Sequence, residues 1–327
     1  MDVGLWLTPQ APAGEDPAAL ATDLLAQAET ARECGFDLLS TGQHYLTEYV
    51  QLQLVPLLSR LAAVSGDLTL ASGVVLLPLH HPVELAEQFA TLDALAGGSV
   101  VFGVGAGYRD REFAAFGVPK DERAGRLREG VDLVRRLWTE ASVTYDGEFY
   151  AATDASITPR PAERPPVWVA ANARPAVERA ARIGDAWLVN PHATLADLRS
   201  AKDAYDAVRR ERGADTSVPV FREVFVAPTT EAAVETARPY LADKYDRYLD
   251  WGQDEAMDDP ESLHGTFESL AADRFLLGTP AEVCAEIERY RDLDASHLLC
   301  RVHWPGMDAD RAVECIELLG DEVVPNV

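Results

Sequence analysis

Short runs of β-type residues alternate with helical stretches along the whole chain, and this repeat constrains the fold more than any other feature. Eight such runs occur, at 3–7, 36–40, 68–77, 99–105, 166–171, 185–190, 218–227 and 296–302. Apolar residues at helical spacing follow most of these runs. Strands alternating with helices predict a parallel sheet with helical crossovers. Because the repeat continues to the C-terminus, we predict a closed (β/α)8 TIM barrel with insertions, of the α/β class.

No change in composition divides the chain, so residues 1–327 are assigned to one domain. The least regular stretch is 240–274, which is rich in Asp, Tyr and Trp. We predict that it is an insertion after the seventh strand with the role of a lid, because long irregular loops in compact domains often cover active sites. Asp16-Pro17 and the capping box of Thr279 and Glu282 are predicted to begin helices.

Charge and cysteine usage exclude several classes of function. The chain has 54 acidic and 29 basic residues, a formal net charge of −25, which argues against nucleic acid and anionic membrane surfaces as partners. No apolar run reaches membrane-spanning length, and the N-terminus has no signal-peptide pattern. The four cysteines form no C-x-x-C pair and no zinc spacing. We expect a cytoplasmic protein with reduced thiols and no metal site.

Candidate functional residues follow the carboxyl ends of the strands, where TIM barrels place their active sites. His44 follows the second strand, and a histidine there is either a general acid or base or a packed side chain. Gly103, Gly105 and Gly107 form G-x-G-x-G after the fourth strand. This is not the Rossmann spacing, but it lets the backbone approach a flat or anionic ligand closely. The turn 171–174 opens a helix whose free N–H groups suit a phosphate.

Three further residues are candidates for the wall of a binding site. Trp6 and Trp304 either line a flat apolar slot or pack in the core. Arg301, at the end of the eighth strand, either pairs with an anionic group of a substrate or forms a structural ion pair.

Three blocks of sequence together resemble the bacterial-luciferase-like (LLM) family of flavin-dependent oxidoreductases. They run from Ala71 to Val118, from Pro165 to Val189 and from Arg274 to Val283. Each block is weakly specific alone, but they occur in the family's order and span nearly the whole chain. The resemblance implies a luciferase-like TIM barrel that binds reduced FMN or, in one branch of the family, the deazaflavin F420.

The resemblance also assigns roles to individual positions. It places a non-proline cis peptide at Gly73-Val74, under the flavin ring, and matches the family's catalytic histidine to His44. Members that use FMN often have a carboxylate beside this histidine, where the chain has Gln43 and Tyr45, so the choice between FMN and F420 stays open. The residues implied to bind the cofactor are Gly73, Val74, Gly105, Ala106, Gly107, Ala171, Asn172 and Ala173.

We therefore expect an FMNH2-dependent monooxygenase that oxidises a small organic substrate with O2. A separate reductase would supply the reduced flavin, and the chain would form a homodimer or larger homo-oligomer. The alternative within enzymes is an F420-dependent dehydrogenase or reductase that transfers a hydride. The alternative from another class is a non-catalytic flavin-binding barrel.

Overall fold

Eight parallel strands form a closed barrel, as the alternating pattern predicts. The computed structural model describes residues 1–327. The barrel strands are, in chain order, Asp2–Leu7, Leu38–Thr41, Thr69–Ser72, Val100–Gly105, Val167–Ala170, Ala186–Leu188, Val218–Val226 and Ala295–Arg301. Successive strands from the first to the sixth are neighbours, and the first strand also pairs with the eighth, which pairs with the seventh. A parallel bridge between Val189 and Val220 closes the ring.

Helices follow the strands and cover the outside of the sheet. They are α1 Pro17–Glu33, α2 Leu54–Leu61, α3 Pro82–Leu95, α4 Asp110–Phe116, α5 Arg123–Thr139, α6 Arg174–Ile183, α7 Leu195–Glu211, α8 Thr230–Asp250, α9 Phe267–Ala271, α10 Pro280–Arg291 and α11 Ala309–Glu322. Both predicted caps are present: the Asp16 side chain accepts from Ala18 N–H, and Thr279 and Glu282 form a reciprocal capping box. None of these helices combines the length and apolarity needed to cross a bilayer.

The two-residue period of the strands divides the buried residues between two cores. Leu5 and Leu7 face the helices and belong to a cluster of 74 buried residues, whereas Trp6 between them points into the barrel. Side chains from all eight strands fill the interior: Trp6, Leu38, Ala71, Val101, Trp168, Ala186, Leu188, Phe221 and Leu299. Because the barrel is filled, a ligand can bind only above this layer, at the strand ends.

The stretch 240–274, predicted to be the least regular part of the chain and an insertion, begins with regular structure. Helix α8 continues to Asp250, although it contains Pro239. Ala237, Leu241 and Tyr245 lie one turn apart on its buried face, and their packing stabilises the helix although most of its residues are polar. Residues 251–266 form turns and two short 3-10 segments. The following residues form α9 and a short strand, Phe275–Gly278.

Six short strands lie outside the barrel ring. Val75–Leu76 continues the third strand after an irregular step, and Phe275–Gly278 pairs in parallel with the far end of the seventh strand. Two antiparallel pairs complete the sheet structure, Gln10–Ala11 with Val50–Gln51 and Val143–Asp146 with Ala151–Ala155. The first of these pairs joins the loops after the first and second strands, beside the barrel mouth.

Candidate functional site

A cavity of about 340 Å³ opens at the carboxyl ends of the barrel strands. This volume lies within the usual range for a site that binds a small molecule or cofactor. Eleven of the twelve residues predicted from sequence line it: Trp6, His44, Gly73, Val74, Gly105, Ala106, Gly107, Ala171, Asn172, Ala173 and Arg301. The fold therefore brings together positions that lie up to 295 residues apart in the chain.

Glycines make room for the cavity beside the large Trp6 ring. A Cβ atom on Gly73 would lie 2.3 Å from that ring, and one on Gly105 would lie 2.7 Å from the Val74 side chain. Gly107 has φ +76°, which side chains other than glycine rarely adopt. The Gly73-Val74 peptide is cis, which confirms the position predicted from the resemblance.

His44 is held by a carboxylate that the sequence analysis did not identify. Its Nδ1 lies 3.1 Å from Glu112 Oε1, and Nε2 makes no hydrogen bond within the protein. Glu112 lies on α4, 68 residues further along the chain, and is only 1% exposed. A carboxylate at Nδ1 fixes the imidazole so that Nε2 is left to exchange a proton with a ligand.

The charge of Glu112 is kept by its other partners. The same oxygen accepts from Tyr45 N–H at 2.8 Å and from Arg109 at 3.2 Å. Burial acts to raise the pKa of Glu112, but the hydrogen bond from His44, with these neighbours, outweighs it and lowers the pKa below its ordinary value. Glu112 is therefore ionised at neutral pH, with its carboxylate against His44 Nδ1.

A second hydrogen-bonded group positions the loop that carries His44. Gln43 Oε1 accepts from Leu76 N–H at 3.0 Å, and its Nε2 donates to the Tyr45 hydroxyl at 2.7 Å. That hydroxyl lies 3.1 Å from His80 Nε2. Gln43 thus links the second strand to the segment just after the cis peptide, and Gln43 and Tyr45 are structural supports rather than substitutes for a carboxylate.

The opposite side of the cavity carries two arginines that the sequence analysis also missed. Arg123, at the start of α5, and Arg179, on α6, both line the cavity. Arg179 Nε is buried without a hydrogen-bond partner. Burial, and then the charge of Arg123, lower the pKa of Arg179. Two cations close together with an unsatisfied donor are suited to an anionic ligand.

The N-terminus of α6, the predicted phosphate site, carries a carboxylate in this structure. Arg174 N–H donates to both oxygens of Asp258, at 3.2 and 3.0 Å. Asp258 belongs to the irregular segment 251–266, whose residues Gln253, Glu255 and Ala256 line the cavity. This segment therefore forms one wall of the site, and its Asp258 accepts from a helix N–H group that the sequence analysis assigned to a phosphate.

Trp304 does not line the cavity, so its predicted placement there is wrong. Its ring is fully buried and packs beside Phe225, and its Nε1 donates to Glu223 Oε2 at 2.7 Å. Although Trp304 follows the end of the eighth strand by only three residues, its side chain points into the core and not into the cavity. Trp6, by contrast, stacks on Phe221 with 4.1 Å between ring centroids and forms the floor.

Signals for the missed residues were weak in the sequence. Glu112 lies in the stretch Tyr108–Glu112, just after the glycine loop, so its position at a strand end was a usable clue. Arg123 and Arg179 lie on helices, where basic residues are ordinarily solvated. No spacing in the sequence distinguishes them from the exposed arginines beside them.

The known proteins that this chain is similar to are luciferase-like oxidoreductases. The luciferase-like monooxygenase family profile matches residues 1–297. The F420-dependent glucose-6-phosphate dehydrogenase of Segniliparus rotundus is 31% identical over 257 residues, 73% of each chain. The enzyme of the same name from Intrasporangium calvum is 30% identical over 89% of this chain and 91% of its own.

Solved structures agree on the architecture. Monooxygenase RslO1 from Streptomyces bottropensis superposes with a TM-score of 0.88 at 26% identity, over 99% of both chains. An F420-dependent secondary alcohol dehydrogenase in complex with an F420-acetone adduct superposes with a TM-score of 0.81 over 98% of both chains. At 19% identity, this second likeness concerns the fold alone.

Proposed function

This chain belongs to the luciferase-like monooxygenase family of oxidoreductases, and we propose that it transfers a hydride between F420 and a small alcohol or carbonyl substrate. The observation that carries the proposal is the His44–Glu112 pair at the cavity wall. Oxidation of an alcohol requires a base for the hydroxyl proton when the hydride leaves carbon. A histidine whose second nitrogen is held by a buried carboxylate is such a base.

His44 has a defined role in this reaction. Nε2 accepts the proton of the substrate hydroxyl in the oxidising direction and returns it in the reducing direction. Glu112 stabilises the imidazolium from the Nδ1 side, at 3.1 Å, without leaving its other hydrogen bonds. Arg109 keeps Glu112 ionised and also stacks over Trp251 at 4.0 Å, which places the segment 251–266 against the proton-transfer pair.

The residues present fit a deazaflavin with an anionic tail. Gly73 and Gly105 leave space that a Cβ atom would fill, and Arg179 has an unsatisfied buried donor for a phosphate. Arg123, Arg179 and the turn 171–173 would hold the tail, and Val74 and the glycine loop would border the ring. When bound, F420 supplies the hydride chemistry. The protein supplies shape, a dry pocket and the proton acceptor.

Two observations support F420 over the FMN-dependent monooxygenase expected from the sequence. The similar curated enzymes are named F420-dependent dehydrogenases, at 28–31% identity. The structure also pairs His44 with the carboxylate of Glu112, so that His44 can act as the base that oxidation of an alcohol by hydride transfer needs. The likeness to RslO1 keeps the monooxygenase as a second candidate, and that reaction would require a separate reductase. A non-catalytic barrel is disfavoured, because these relatives are enzymes.

Anaerobic titration with F420 and with FMNH2, followed by turnover, tests the proposal. We expect F420 to bind at micromolar concentration and to be reduced anaerobically by a member of an alcohol panel containing 2-propanol and glucose 6-phosphate. Tight FMNH2 binding with substrate-dependent O2 uptake would instead select the monooxygenase. Binding of neither cofactor would refute both.

A further inference from the structure

We propose that Arg301 forms an oxyanion subsite on the floor of the cavity, and that the substrate is a small molecule carrying a carboxylate or phosphate group. This inference rests on the proposed function, because it concerns the substrate bound beside the cofactor. Of the alternatives left open by the sequence, the structural ion pair is present, since Arg301 lies 3.6 Å from Glu223 Oε1, and the proposal adds a ligand to it.

Arg301 differs from every other buried arginine of the chain in its hydrogen bonding. It is 7% exposed and lines the cavity, and its closest carboxylate contact is Glu223 Oε1 at 3.6 Å, which is too long for a hydrogen bond. Its Nε is buried and without a partner. In contrast, Arg209, Arg222 and Arg274 each donate to at least two backbone carbonyl groups.

Glu223 does not supply the missing partner. Its Oε1 accepts from Lys244 Nζ and its Oε2 accepts from Trp304 Nε1, so each oxygen already has a closer donor than Arg301. Lys244 and Arg301 therefore face the same single carboxylate. Arg301 is left with a buried charge that no second carboxylate balances, although the chain as a whole has a net charge of −25.

The potential around this position is positive. His192, which also lines the cavity, is 5% exposed, and its Nδ1 has no hydrogen-bond partner. Burial, and then the charges of Lys244 and Arg301, hold the pKa of His192 well below its ordinary value. A buried polar group without a partner is costly, so both side chains indicate a polar ligand between the barrel floor and the mouth.

The surroundings of the guanidinium favour an oxyanion. Its Cζ lies 5.1 Å from the Trp6 ring centroid and 4.8 Å from that of Phe221, so the two stacked aromatic rings support it from one side. The planar donors are then available to two oxygens of one group, the geometry in which arginine binds carboxylate and phosphate. Trp6 Nε1, in the same region, is also buried without a hydrogen-bond partner.

Calorimetric titration of the F420-loaded protein tests the subsite, because F420 then occupies the other cationic end of the cavity. The probes are acetate, inorganic phosphate and two matched pairs, lactate with lactamide and glucose 6-phosphate with glucose. We expect the charged member of at least one pair to bind about tenfold or more tightly than its neutral counterpart. The two pairs distinguish a carboxylate from a phosphate.

Arg301→Gln should reduce this preference to within twofold while leaving the dissociation constant of F420 within twofold of its original value. Arg301→Lys should retain part of the preference, which guards against a loss caused by misfolding of the first variant. Arg311→Gln, on the exposed face of α11, is the matched control and should retain all of it.

Equal binding of charged and neutral members, no binding of any oxyanion, or a preference that survives Arg301→Gln would overturn the inference. Failure of F420 to load is a separate result that counts against the proposed function. In that case the same oxyanion titrations of the free protein, comparing the original chain with Arg301→Gln, still decide the role of Arg301.

Discussion

Replacing Glu112 with glutamine tests the proton-transfer pair with little change in shape. The amide oxygen can still accept from Tyr45 N–H and Arg109, so the loop should keep its position, but the negative charge beside His44 Nδ1 is lost. If Glu112 acts through His44, the variant should bind F420 normally and lose turnover, because the charge matters mainly when the imidazole becomes protonated.

The size of the effect follows from the geometry. Unit charges 3.1 Å apart interact by about 5 kcal/mol at an effective dielectric constant of about 20. Arg109, 3.2 Å from the same oxygen, offsets part of this. Hydrogen bonds to charged groups typically contribute about 1.5–3 kcal/mol. We therefore expect Glu112→Gln to raise the activation free energy by about 2–3 kcal/mol, which corresponds to a fall in kcat of about 30- to 150-fold.

The assay is anaerobic reduction of F420 by the most active alcohol of the panel, followed by absorbance. Glu48→Gln is the matched control, since Glu48 contacts Arg111 at 3.2 Å between the same two segments but is about half exposed. It should change kcat less than twofold. In a His44→Ala background, Glu112→Gln should have almost no further effect, because the two residues act as a unit. Multiplicative losses in the double variant, or a kcat for Glu112→Gln within twofold of the original, would refute the reasoning.

Three further predictions concern the cofactor tail, the barrel backbone and a buried ion pair. Arg179→Gln should weaken F420 binding about tenfold or more, whereas Arg182→Gln, on the same helix but more than half exposed, should not. Equal dissociation constants of F420 for the two variants, measured by fluorescence titration, would contradict the assignment of Arg179 to the cofactor tail. Gly103→Ala should destabilise the fold by several kcal/mol, because its Cβ would lie 1.8 Å from the Ser72 backbone oxygen. The control Gly97→Asn should be tolerated, because Gly97 has φ +66° and open space around it. Equal melting temperatures of the two variants would show that the strands move apart to accept the added methyl group. Burial, partly offset by Glu223, lowers the pKa of Lys244 to about 7 from an ordinary 10.5. Between these two pH values Lys244 is protonated in the unfolded chain but neutral in the folded one, so the free energy of unfolding rises with pH. Denaturant titrations at pH 7, 8 and 9 should give a slope about 1 kcal/mol per pH unit steeper for the original chain than for Lys244→Met, and parallel lines would disprove the linkage.

Local signals in the sequence were enough for the barrel and for most of the cavity wall. Each of the eight predicted strands corresponds to a barrel strand, because a buried strand needs an unbroken apolar run and a cap or turn to end it. Since parallel strands place their carboxyl ends on one face, any residue just after a strand is near the mouth. This is why His44, Gly105 and the turn 171–174 were found by position, whereas Gly73 and Val74 were assigned from the family resemblance.

Positions on helices and side-chain directions were not accessible in the same way. Trp304 follows a strand closely, yet it turns into the core, and α8 hides its buried face behind charged residues and Pro239. Arg123 and Arg179 reach the cavity from helices that cover the outside of the sheet. Whether such a side chain points to solvent or to a ligand depends on the packing of neighbours that are distant in sequence.

From its sequence alone, this protein is a parallel α/β barrel with a ligand site at the carboxyl ends of its strands, because periodicity and turn chemistry are local properties of the chain. Only the tertiary structure decided which groups meet there. The contact between His44 and Glu112 spans 68 residues, and Arg301 makes no hydrogen bond to Glu223, whose oxygens accept from Lys244 and Trp304. Charges and hydrogen bonds act over a few ångströms of space, and the sequence does not specify those distances until the barrel closes.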